Sequence, residues 1–185
     1  KDLKLIDFNC SGNELTSLDV SGLTELENFA CSSNRLTSLN IEGCDKLCYV
    51  ECYSNSIKGE AMTDIVNDLP KLDAPGAGRL VVTAEGCGNV ITAANVAVAK
   101  GKNWDVLDDK DHEFEGHIAV TGVSLDTEGV EIYTGATMTV KALIEPADAT
   151  NKNVTWTIGN PEIATVNDGV VTGVAEGETT LTVTT

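Results

Sequence analysis

The sequence predicts an α+β protein of two domains: a solenoid of stacked coils closed by an α/β cap, then an all-β sandwich. Three observations predict it. Near-identical 21-residue segments follow one another from Leu5, and a fixed period of about 20–50 residues marks a repeat architecture. Two apolar stripes of helical spacing come next, in GEAMTDIVNDLP and TAANVAVAKGKNW. From Ile118 onward, short Thr/Val-rich runs alternate with turn residues, as in an antiparallel sandwich.

Composition narrows the function classes. The 185 residues carry 12 Lys plus Arg against 29 Asp plus Glu, a net charge of −17, which makes nucleic acid and anionic membrane poor partners, and no nucleic-acid partner is expected. A hydrophobic share of 42% with 22% charged residues indicates a globular chain. Aromatics are only 4%, so aliphatic side chains must fill the core. No apolar run reaches the roughly 18 residues of a membrane helix, and no membrane insertion is expected. The six cysteines stand at 10, 31, 44, 48, 52 and 87, none later.

The repeat accounts for most of them. The segment Leu5–Glu25 aligned with Leu26–Lys46 shares Leu5/Leu26, Phe8/Phe29, Cys10/Cys31, Asn13/Asn34, Leu15/Leu36, Leu18/Leu39 and Gly22/Gly43 among its identities. A third copy from Leu47 keeps Val50, Cys52, Asn55 and Ile57, then departs with Glu60 where Leu18 and Leu39 stood. The form L-x-x-L-x-L-x-x-N-x-L at this period resembles the leucine-rich repeat family. That resemblance implies coils that share a core because none can bury its apolar edge alone. Cys10, Cys31 and Cys52 then form a column of small buried hydrophobes. Parallel thiols of this kind neither converge on a metal nor suit a disulfide, so free thiols and no metal are expected. Asn13, Asn34 and Asn55 sit where the chain leaves each strand. A carboxamide both donates and accepts, and can satisfy the stranded backbone groups there.

Past the third copy, Ala61, Met62, Ile65, Val66 and Leu69 make a helical stripe ended by Pro70. GRLVVTAEG reads as a strand. A second helix is capped by Thr92, with Ile91, Ala94 and Val98 on one face, and WDVLD reads as a strand. This stretch is read as a cap over the outer coil. The expected boundaries are 1–108 for the repeats with their cap, 109–117 for a linker and 118–185 for the sandwich.

The linker DDKDHEFEGH holds both histidines and an acidic run that faintly echoes a calcium loop. The twelfth position from Asp109 is Val120 instead of a bidentate acid, so a solvated charge run is the expectation. Beyond it, Met138, Val140, Ala142 and Ile144 point to one side, and Trp156 belongs in the core between the sheets. VTGVSLD, EPADATNKNVTWTIGNPEIATV and GVVTGVAEGETTLTV resemble the group-two bacterial immunoglobulin-like domain. Members of that family commonly lack the inter-sheet disulfide, and this stretch has no cysteine.

Catalytic patterns are missing: no phosphate loop, no zinc-binding His pair on a helix, no nucleophile elbow. No cofactor and no catalytic residue are therefore expected. Binding is the better lead. In the repeat, the variable strand residues point to a concave face: Asp7, Asn9 and Ser11, then Asn28, Ala30 and Ser32, then Tyr49, Glu51 and Tyr53. Two tyrosines flanking a carboxylate combine rigid contact area with hydrogen bonding. Asp7, Asn9, Asn28, Ser32, Tyr49, Glu51 and Tyr53 are the expected binding residues, for a protein or glycan ligand. Together, the two resemblances imply a monomeric, non-catalytic adhesion or ligand-binding protein of the bacterial cell surface, lipid-anchored at the outer membrane. In that picture the repeats recognise and the sandwich serves as stalk. The rival expectation is a spacer or display fragment of a larger surface protein.

Overall fold

A computed structural model describes residues 4–147 and 149–185. The chain divides into two compact units, Lys1–His117 and Ile118–Thr185.

The first unit is built on one parallel sheet. Its strands are β1 (Asp7–Asn9), β3 (Asn28–Ala30), β5 (Tyr49–Glu51), β6 (Gly78–Thr83) and β7 (Trp104–Asp108), side by side in that order. The repeat sets the register: Phe8 pairs with Phe29 and Phe29 with Val50, each step advancing 21 residues. The strands β2 (Ser17–Asp19) and β4 (Ser38–Asn40) pair in parallel at the same step, Leu18 on Leu39. Side chains alternate across a strand, so Phe29, Val50, Leu80 and Val106 fall on the inner face. They are buried there with Leu26, Leu36, Ile41, Leu47 and Ile57.

Among the described residues, helix is confined to α1 (Glu60–Asp68) and α2 (Ala93–Gly101), nine residues each. Met62, Ile65 and Val66 of α1 are buried, as the stripe requires. In α2 the buried face is shifted from the expected one: Asn95, Val96 and Ala99 turn inward, while Ala94 and Val98 are exposed. The cause is Asn95. Its carboxamide closes a capping box with Thr92 and reaches the Thr63 hydroxyl at 3.2 Å, which ties the polar residue to the α1 side. The Trp104 side chain is fully buried and donates its indole N–H to Pro70 O at 2.8 Å. A Cβ on Gly78 would lie 2.4 Å from that ring, so only glycine fits there.

These facts correct the expected fold class. The regular structure is mostly strand, and β6 and β7 carry the parallel sheet onward by crossovers through α1 and α2. A leucine-rich repeat solenoid with a separate α/β cap is not the division the backbone makes, because one five-stranded sheet runs through both parts. The physical reason lies after Ile57. Glu60 replaces the leucine that β2 and β4 use, and the chain enters a helix where a third such strand would stand.

A carboxamide ladder fastens successive turns. Asn34 donates to Cys10 O (3.0 Å) and Cys31 O (3.1 Å), and its oxygen accepts from Leu15 N–H (3.0 Å). Asn55 repeats this with Cys31 O, Cys52 O and Leu36 N–H. Asn89 does so with Cys52 O, Val82 O and Ile57 N–H. Asn34 is half-buried, whereas Asn55 and Asn89 are buried. All six cysteines are free thiols; Cys31 and Cys52 are fully buried and Cys10 half-buried.

Residues 109–117, expected as a linker, fold back on the first unit. Phe114 N–H donates to Val106 O, His117 N–H to Ile91 O and Ala93 N–H to His117 O. Their acids pair with bases: Asp111 with Arg79, and Glu113 and Glu115 with Lys100.

The strands of the second unit pair antiparallel. Its strands are β8 (Gly122–Leu125), β9 (Thr137–Thr139), β10 (Ala142–Glu145), β11 (Thr155–Ile158), β12 (Ala164–Asn167), β13 (Val170–Gly173) and β14 (Leu181–Thr184). They pair as β8–β10, β11–β14 and β12–β13–β9. The alternating run from Met138 to Ile144 breaks in two: β9 joins β13 and β10 joins β8. Met138 is consequently exposed, while Val140, Ala164 and Val171 form a small core. Trp156 packs half-buried against that core.

Each ladder carboxamide satisfies at least three backbone groups at once, and an unpaired buried group costs about 1–3 kcal/mol. Asn55→Ala is expected to destabilise the first unit by about 3 kcal/mol, against about 1 kcal/mol or less for the exposed Asn13→Ala. Urea denaturation of both variants measures the difference.

Candidate functional site

The outward face of the parallel sheet carries the expected residues in two registered rows. The first runs Asp7, Asn28, Tyr49, Arg79, Asp105, and the second Asn9, Ala30, Glu51, Val81, Leu107. Ser11 and Ser32, two residues past Asn9 and Ala30, face each other at 3.1 Å between hydroxyls. This alternation follows from strand geometry, since residues i and i+2 share a face.

The face is cross-linked by its own polar groups. Asn28 donates to the Asp7 carboxylate at 2.6 Å. Glu51 accepts from the Tyr49 hydroxyl at 2.7 Å through one oxygen and from the Ser32 hydroxyl at 2.7 Å through the other. Ser32 is buried, so its hydroxyl is fixed, and Glu51 is half-buried. The Arg79 guanidinium lies 5.9 Å from the centre of the Tyr49 ring, a cation–π distance, and pairs with Asp111. The Asn9 side chain accepts from Ser11 N–H at 2.9 Å, which folds it over its own strand end. Tyr53 is half-buried beyond Ser32, and its carbonyl accepts from Ser33 N–H. A shallow hollow of about 370 Å³ opens over Ala30, bordered by Asp7, Asn9, Asn28, Tyr49 and Glu51.

Arg79, Asp105 and Asp111 were not legible as members of this face. They lie beyond the 21-residue period, and Asp111 comes from a segment read as linker. The pairing of GRLVV with YVE carries the only signal, an arginine two residues before Val81.

Burial raises the Tyr49 phenol to about 12. Its hydrogen bond to Glu51 and the Glu51 charge add to this, while Arg79 opposes it. The thiols behave as buried apolar groups: burial holds Cys31 well above the ordinary thiol range and Cys52 at about 12. Cys87 accepts from Ser54 N–H at 3.1 Å and Asn89 N–H at 3.4 Å, and His112 contacts Asp108 at 3.1 Å. Among the described residues no group of three His, Cys, Asp or Glu is placed to hold a metal ion. A second hollow, between β4 and α1, is lined by Asp19, Glu42, Asp64 and Asp68. There burial, with Glu42 and Asp64 nearby, raises the Asp68 carboxyl.

Residues 119–185 match the bacterial Ig-like domain (group 2), which is nearly the whole of the second unit. The chain is 33% identical over 118 residues to an Ig-like virion protein of Serratia phage KSP90, covering 63% of this chain and 43% of that protein. It is 36% identical over 73 residues to a 3-O-alpha-D-galactosyl-alpha-L-arabinofuranosidase of Bifidobacterium longum subsp. longum, covering 36% of this chain and 6% of that enzyme. The chain thus spans less than half the length of these curated relatives. The matches support the Ig-like part of the expected resemblance and give the first unit no leucine-rich repeat assignment.

The Tyr49 phenol has a folded pKa above its unfolded value of 10.0. Its network therefore stabilises the fold fully below pH 10, and that contribution is lost as pH rises through about 12. A tyrosinate absorbance titration should show a late step near pH 12 that Tyr49→Phe removes.

Proposed function

We propose that this chain is a non-catalytic surface protein in which the polar sheet face of the first unit recognises a protein or glycan and the Ig-like domain serves as a stalk. The observation that carries this reading is the Glu51 carboxylate, pinned by Tyr49 and Ser32 on the outer face of a short-stranded, densely hydrogen-bonded sheet. Such preorganisation lowers the entropy a binding surface must lose. The bacterial Ig-like domain and the likeness to an Ig-like virion protein support a structural role outside the cell. On this reading the chain is held at the bacterial outer membrane. The stretch shared with the arabinofuranosidase is 6% of that enzyme, too small a part to lend this chain its activity.

A second reading, a spacer that displays another module, is favoured by one observation. The polar groups of the face largely satisfy one another, as Asn28 with Asp7 and Tyr49 and Ser32 with Glu51.

Arrays of extracellular proteins and glycans separate the two. If the face recognises a partner, the wild-type chain gives hits that the Tyr49→Ala/Tyr53→Ala double variant weakens at least about tenfold, as loss of central tyrosines does. Hits of equal strength with both proteins would remove the recognition face, and an absence of hits favours the spacer.

A further inference from the structure

We propose that the hollow over Ala30 holds one uncharged sugar unit of a glycan. This rests on the recognition reading and narrows it to a ligand class.

Ala30 stands between Asn9 and Glu51 in its row. The methyl group leaves a depression of about 370 Å³, near the lower end of the roughly 300–1,000 Å³ of small-ligand clefts. That size suits a compact ligand better than an extended peptide. The rim is made of groups that match vicinal hydroxyls. Asp7 and Glu51 accept, and the Asn9 and Asn28 carboxamides both donate and accept. An ionised carboxylate accepts about four hydrogen bonds. Glu51 uses one on each oxygen for Ser32 and Tyr49, so its orientation is fixed while lone pairs remain for a ligand hydroxyl.

Tyr49 supplies the apolar element. Arg79, on the neighbouring β6, covers one face of its ring. Tyr49 itself borders the hollow, where the C–H side of a sugar ring can lie against its remaining surface. Charge selects further. Asp7 and Glu51 border the hollow in a chain of net charge −17, which opposes uronic acids, sialic acids and phosphate esters. A protein side chain anchored here would have to desolvate both carboxylates without an apolar pocket in return.

The test uses the whole chain and a panel of methyl glycosides, neutral hexoses and pentoses beside glucuronic and sialic acids, read by saturation-transfer NMR and calorimetry. At least one neutral glycoside should bind and the acidic ones should not. Ala30→Leu, which fills the hollow from a solvent-facing strand position, should weaken binding at least about tenfold. Asn9→Ala at the rim should weaken it too, and stands in if the leucine variant unfolds. Binding of neutral glycosides with unchanged affinity to both variants, or no neutral binding at all, overturns the proposal. If in that case an array partner still depends on Tyr49 and Tyr53, the recognition face survives with a different ligand. If no partner depends on them, both readings fall.

Discussion

Three carboxamides fix the geometry on which the first unit depends. Every turn off the parallel sheet leaves backbone carbonyls and amides that no strand can pair. Asn34, Asn55 and Asn89 each bridge two successive turns by donating to a carbonyl in both and accepting an amide from the earlier one. The bridge forces one spacing between neighbours. That spacing seats Phe8 on Phe29 at 5.8 Å between ring centres and closes the core behind them. Buried amides are costly when unpaired, so a residue that merely matched asparagine in size would not serve.

The outer face inherits its order from this inner constraint. Because register is set from within, Asp7 arrives beside Asn28, and Ser32 beside Glu51, without any need for attraction between them. Their hydrogen bonds then settle rotamers already brought close, which limits the side-chain entropy lost. The surface ion pairs add little by comparison. Arg35 with Glu14 and Lys46 with Glu25 link residues 21 apart at 3.0 and 2.8 Å, but they are exposed to solvent, where such pairs contribute about 0–1 kcal/mol.

The sequence made the 21-residue register, the asparagine positions through Asn55, both helices and the row membership of Asp7 through Glu51 readable, because each follows from a short period repeated in the letters. Legibility ended where periodicity did. Asn89 performs the same task as Asn55 but lies 34 residues on, past an inserted helix and strand. Arg79 reaches Tyr49 only because β6 pairs with β5, a long-range event with no local mark. The solenoid-and-cap division failed for a related reason. The repeat pattern suggested a stack with a lid, whereas β6 and β7 complete the same sheet that β1 begins. In α2 a polar residue took the inward face, against the hydrophobic stripe. In the Ig-like domain the alternation from Met138 to Ile144 ran straight through a change of sheet, which periodicity alone does not reveal.

The ladder is tested most directly by native-state hydrogen exchange at the two buried amides that donate to carboxamide oxygens, Leu36 N–H to Asn55 and Ile57 N–H to Asn89. If these contacts clamp the turns, both amides exchange only as slowly as the unit unfolds, as slowly as the central strand amides do. Exchange at the rate of the exposed turn amides would show that the side chains follow the stacking of the sheet instead of enforcing it.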